Sequence, residues 1–137
     1  MNIVPMTRTR PLILNVDDDA ANRYVKTRSL LRGEMEVIEA EDGEKGIAAV
    51  QSGDNPLRLD VIICDVHMPK VSGKEVVAYL KAQFPSVPII VLTGDPQYKD
   101  ATDFLANGAS AYLAKPFEPA ALVKTVAKCV EKHVFHH

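Results

Sequence analysis

Four short apolar runs dominate this chain, and each ends in a polar residue suited to handling a phosphoryl group. Leu12-Ile13-Leu14-Asn15-Val16 leads into Asp17-Asp18-Asp19, and Val61-Ile62-Ile63-Cys64 leads into Asp65. Pro88-Ile89-Ile90-Val91-Leu92 ends at Thr93, and Ala111-Tyr112-Leu113-Ala114 ends at Lys115-Pro116. Short continuous apolar runs bounded by turn residues suit strands covered on both faces, as in a parallel sheet. If the strands are parallel, their carboxyl ends share one edge, where open α/β sheets bind ligands.

The segments between the runs carry helical periodicity. The first helix is expected over Ala20 to Arg32, with Gly33 as its stop, followed by a short strand within Glu34 to Glu39 around Val37-Ile38. A second helix follows Asp42-Gly43, turns Ile47 and Val50 inward and stops near Ser52-Gly53; Asn55-Pro56 marks a loop. Ser72-Gly73-Lys74-Glu75 has capping-box spacing ahead of Val76, Val77, Leu80 and Phe84. Asp95-Pro96 opens a fourth helix that Asn107-Gly108 closes, and a fifth starts near Glu118-Pro119 with Leu122, Val123, Val126 and Val130 inward. Alternating strands and helices, short connections and right-handed crossovers predict an α/β fold: a doubly wound five-stranded parallel sheet of order 2-1-3-4-5. That order sets Asp17 and Asp18 opposite Asp65 at the switch point.

The 137 residues suit one domain, expected over residues 11–132. Residues 1–10, with Thr7-Arg8-Thr9-Arg10, read as a flexible leader. Residues 133–137 read as a frayed tail whose histidines lack a ligand cluster. A net charge of −2 gives no basic footprint for nucleic acid. No apolar run approaches the ~20 residues that span a bilayer, so no membrane role is expected. Cys64 and Cys129 read as small buried hydrophobes in a reducing cytoplasm.

Carboxylates crowded together repel, and at neutral pH they need a cation or a raised pKa. Mg2+ suits the task, because it takes one or two carboxylates plus water and phosphate oxygens. Asp19 is better spent capping the first helix, which leaves Asp17 and Asp18 to the metal. Asp65 is the candidate nucleophile, forming an acyl phosphate. The Lys115 ammonium and the Thr93 hydroxyl could meet other phosphoryl oxygens, and Gly94 leaves the approach open.

These stretches together resemble the receiver domain of two-component response regulators. The matching residues are Ile13 to Asp19, Val61 to Pro69, Ile90 to Gly94 and Ala111 to Phe117, and the likeness covers roughly residues 11–132. It implies a flavodoxin-like (βα)5 three-layer sandwich with Asp65 as phospho-acceptor. It further implies Asp18 as a direct Mg2+ ligand, Asp17 as a mainly water-mediated one, and the backbone carbonyl of His67 as another. Thr93 and Lys115 would contact the phosphoryl group, and the Lys115–Pro116 bond would be cis. The donor would be a sensor histidine kinase or a histidine phosphotransfer protein, with the receiver itself catalysing the transfer and its own dephosphorylation. Thr93 and Tyr112 would form the switch, and the fourth helix, fifth strand and fifth helix the readout face. That face would meet a downstream protein or a fused output domain. Homodimerisation through it is common in the family, though no residue here compels it.

Two positions depart from the usual pattern: His67 stands where methionine is frequent, and Asp95 lies two residues after Thr93. Both positions tune acyl-phosphate hydrolysis in the family, so an altered lifetime is expected. A phosphohydrolase of the haloacid dehalogenase type uses a similar residue set, but His67 holds the place of its second aspartate. Its late acidic motif also follows the lysine, whereas Asp95 precedes Lys115. A receiver fold acting purely as an interaction module is the other alternative, and phosphorylation discriminates it.

Overall fold

A computed structural model of the chain describes residues 10–52, 58–65, 73–94 and 104–135. The apolar runs form β1 (Leu12–Val16), β3 (Leu59–Asp65), β4 (Ile89–Thr93) and β5 (Ala111–Ala114), and Glu36–Ala40 forms β2. All pairings are parallel, in the expected order β2-β1-β3-β4-β5. The connecting helices are α1 (Ala20–Arg32), α2 (Gly43–Val50), α3 (Gly73–Gln83), the helical residues 104–106 (α4) and α5 (Pro119–Phe135).

Side chains alternate across the sheet with a period of two, which divides the core into two layers. Leu14, Val16, Ile62, Cys64, Ile89 and Val91 pack with Ile47 of α2 and Val76, Val77 and Leu80 of α3. Ile13, Val61, Ile63, Ile90 and Leu92 pack on the other face with Leu30 of α1 and Leu122 and Val126 of α5. The inner strands β1, β3 and β4 are buried at every position because helices cover both faces and strands flank both sides. Edge strands β2 and β5 are more open.

Asp19 caps α1, its carboxylate accepting from Asn22 N–H, and Asp42 caps α2 by accepting from Lys45 N–H. Gly108, at φ 111, ends the turn after residues 104–106 in the left-handed region that glycine favours.

Gly33 closes α1 as expected, at φ −82, and the left-handed residue is Glu34 at φ 64. What requires glycine there is space: a Cβ would stand 2.9 Å from Val123 Cγ1 on α5. The second strand starts later than expected, at Glu36, because the turn uses Glu34 and plugs Met35 into the core with its N–H on the Leu30 carbonyl. Finally, α5 continues to Phe135, past the expected tail boundary at 132. Its last turns are held by His133 Nδ1, 3.4 Å from Asp60 Oδ1, while Asp60 Oδ2 accepts from Leu12 N–H. Residues 1–9, the Ser72 cap, the Asp95-Pro96 helix start and His136-His137 lie outside the described residues. Among the described residues no helix is long and apolar enough to cross a membrane.

Candidate functional site

Parallel pairing levels the carboxyl ends of the strands. Val16 stands opposite Cys64, Asp65 opposite Leu92, and Thr93 opposite Ala114. Asp17 therefore follows β1 beside the end of β3, and Lys115 follows β5 beside the end of β4. Asp17, Asp18, Asp19, Asn22, Asp65 and Lys115 line a cavity of about 400 Å³ at this edge.

Asp65 is 3% exposed, and the Lys115 ammonium forms an ion pair with its Oδ2. Asp18 is exposed at the cavity wall. Asp17 is buried. Its Oδ1 accepts from Asp19 N–H at 2.9 Å, its Oδ2 lies 2.8 Å from Lys26 Nζ, and its carbonyl accepts from Arg23 Nη1 at 2.7 Å. Thr93 is buried at the end of β4, its carbonyl accepting from Lys115 N–H at 2.7 Å, but it does not line the cavity. The Lys115–Pro116 bond is cis, as expected. Tyr112 lies on β5 opposite Val91 and is 37% exposed. His67 and Asp95 lie outside the described residues.

Among the described residues no three Asp, Glu, His or Cys side chains are gathered to hold a metal ion unaided. Mg2+ does not need such a cage, since it retains water and shares its shell with phosphate oxygens. An exposed Asp18 and a strand-end Asp65 on one open cavity fit that coordination. Cys64, on the opposite face of β3 from Asp65, takes no part in such chemistry. Burial, and then the Asp65 charge, push its thiol up to about 12, so it stays protonated at neutral pH.

Lys26 was not anticipated. Sequence reading takes a lysine in a surface helix as solvated, yet Lys26 is 6% exposed. A signal was available: Arg23, Lys26, Thr27 and Leu30 stand at the i, i+3, i+4 and i+7 positions of one helix face. That face meets polar residues of β1, because Asn15 and Asp17 alternate with Val16 toward α1. Buried Asn15 donates through Nδ2 to the Arg23 carbonyl and to Thr27 Oγ1, both at 3.1 Å.

A family profile described as the response regulator receiver domain matches residues 13–127. The transcriptional regulatory protein PrrA of Mycobacterium tuberculosis is 36% identical over 118 residues, covering 86% of this chain and 49% of PrrA. The response regulator protein FleR of Pseudomonas aeruginosa is 28% identical over 116 residues, covering 85% of this chain and 24% of FleR. The chain thus spans between a quarter and a half of the length of these relatives. Among solved structures, the chemotaxis response regulator CheY4 of Vibrio cholerae superposes with a TM-score of 0.77 at 34% identity, covering 88% of this chain and 99% of that one.

Proposed function

The chain belongs to the response regulator receiver domain family of two-component signalling, and from that premise we propose that it is a phospho-accepting switch with Asp65 as the acceptor. The observation that carries this reading is the setting of Asp65: a buried strand-end carboxylate, ion-paired with Lys115, opening on a cavity that Asp18 also lines. A carboxylate oxygen of Asp65 attacks phosphorus of a phosphohistidine. The new O–P bond forms as the P–N bond breaks, and the electron pair leaves with the imidazole nitrogen. Lys115 follows the transferred group as a point charge. The Thr93 hydroxyl, at the end of the neighbouring strand, takes a phosphoryl oxygen once the product forms.

Asp18 and Asp65, with the His67 carbonyl, would hold Mg2+, and Asp17 stands behind them. When bound, the ion neutralises charge on the phosphoryl oxygens. The donor is a histidine kinase or a histidine phosphotransfer protein, and transfer and autodephosphorylation are catalysed by the domain's own site. His67 and Asp95 set the lifetime of the acyl phosphate. Autodephosphorylation of His67→Met checks this, and an unchanged rate removes His67 from the account.

Output passes through the face made by α4, β5 and α5, to a separate protein or to an output domain in the same polypeptide. The setting is the cytoplasm. Intact-mass measurement after incubation with acetyl phosphate tests the acceptor. A Mg2+-dependent gain of one phosphoryl group, absent in Asp65→Asn, is the expected result. No gain from acetyl phosphate or from a phosphorylated histidine donor would favour a phosphorylation-independent interaction module.

A further inference from the structure

Lys26 carries its charge to the inner side of α1, where water cannot solvate it. Its side chain is 7% exposed and that of Asp17 is 1% exposed, with Nζ 2.8 Å from Oδ2. A charge so buried is tolerated only when paired. The other oxygen of Asp17 accepts the Asp19 N–H, so each carboxylate oxygen has a cation or a donor of the protein beside it. Arg23 adds a further positive group at the Asp17 carbonyl, and its Nε is drawn off to Glu39 at 3.1 Å. The cavity wall therefore contains an acid that is already neutralised from behind.

We propose that Lys26 is a positioning residue that serves as the permanent counter-ion of Asp17 and takes the place a divalent cation would have beside that carboxylate. Mg2+ is then held by Asp18 and Asp65 without Asp17. It binds more loosely than three carboxylates would bind it, which leaves the site better balanced for an incoming phosphoryl anion. This rests on the reading of the cavity as a Mg2+ site.

Charge arithmetic gives a pattern of signs that a merely structural pair would not produce. Lys26→Met removes a positive charge close to the site and releases Asp17, so Mg2+ should bind about tenfold more tightly. Asp17→Asn leaves Lys26 uncompensated and should weaken binding by about the same factor. The double variant D17N/K26M restores the original net charge and should bind within about twofold of the unaltered chain.

Calorimetric titration of the full chain with MgCl2 reads all four affinities, with circular dichroism to verify folding. If Lys26→Met does not fold, the double variant decides alone, because it leaves no buried charge unpaired. A double variant weakened more than about fivefold would make Asp17 a metal ligand and overturn the proposal. A folded Lys26→Met with unchanged or weaker affinity overturns it as well. Absence of Mg2+ binding by the unaltered chain overturns the metal-site reading itself and the proposal with it.

Discussion

Asp65 and Asp17 sit a strand apart, each beside a lysine, yet the two pairs differ in what their loss should do. Lys115 is 30% exposed at its side chain, so it can turn to water when its partner is neutralised. Asp65→Asn also takes one negative charge out of a cavity lined by Asp17, Asp18 and Asp19. These effects oppose each other, and urea denaturation should find stability unchanged or slightly raised, within about 1 kcal/mol, while phosphorylation is abolished. A marked loss of stability would instead make Asp65 a structural partner. Lys26 has no such escape. Lys26→Ala leaves a buried carboxylate without its cation and should cost about 3–5 kcal/mol in the same measurement; a loss below about 1 kcal/mol would mean the pair is solvated in solution. Cys64 gives a pH signature. Its thiol ordinarily ionises near 9.0 and is raised to about 12 in the fold, by burial first and by Asp65 second. Above pH 9 the unfolded chain loses this proton and the folded chain keeps it. Its contribution is therefore complete below pH 9 and is lost as pH rises toward 12. Urea midpoints measured from pH 8 to 10 should fall more steeply for the unaltered chain than for Cys64→Ala, and parallel slopes would remove Cys64 from the alkaline limb.

At the level of elements, α1 shows what kind of information a sequence carries openly and what kind it hides. The strands and their order were legible because β1, β3 and β4 are apolar runs that end at punctuating polar residues, and few topologies join such runs by short right-handed crossovers. The inner face of α1 was not. Its contacts with Asn15 and Asp17 are polar, so Arg23, Lys26 and Thr27 look like a solvated surface until β1 is laid against them. The extension of α5 was hidden for a different reason: the partner of His133 is Asp60, distant in sequence and visible only once the chain is folded. Gly33 stops α1 where expected, and the structure adds a packing reason for glycine there. A glycine after a helix usually signals a left-handed turn, but here the turn falls on Glu34 and the glycine admits Val123. The energies can be separated. Gly33→Ala gains about 0.4–1 kcal/mol from a less flexible unfolded chain, since φ −82 suits alanine. It loses about 1–3 kcal/mol by forcing Val123 or the helices apart, because a β-branched side chain gives way poorly. The clash should win, lowering the urea midpoint. Adding Val123→Ala should give a double variant more stable than the sum of the single effects. Strict additivity of the two would show that α1 and α5 are not in contact at this point in solution.

For the molecule as a whole, only β4 separates the Asp65 strand from the edge strand β5, which belongs to the proposed readout face. Thr93 pairs with Ala114 and Val91 with Tyr112, so Tyr112 stands one pleat behind Thr93, on the same face of the adjacent strand. That face holds the layer containing Val91, Phe104 and Ala109. Tyr112 at 37% exposure is only partly seated against it. An inward movement of Thr93 toward a phosphoryl oxygen vacates space on that side, and Tyr112 can turn into it. In the proposed switch such a shift would be a two-state equilibrium, which phosphorylation would move by no more than the difference in contact energy between the two states. The chain has four tyrosines and no tryptophan, so tyrosine labelling reports on few positions. With 13C-labelled tyrosine, the ring resonances of Tyr112 should move on addition of Mg2+ and beryllium fluoride as a phosphoryl mimic. Those of Tyr24, 58% exposed on α1 away from this path, should stay in place. In Thr93→Ala the mimic should still load on Asp65, seen as a shift of resonances around the cavity, but the Tyr112 signal should remain near its unloaded position. A Tyr112 signal that does not respond in the unaltered chain at saturating mimic would take the tyrosine out of the switch. One that moves equally in Thr93→Ala would route the signal past Thr93, through the Lys115 side of the cavity instead.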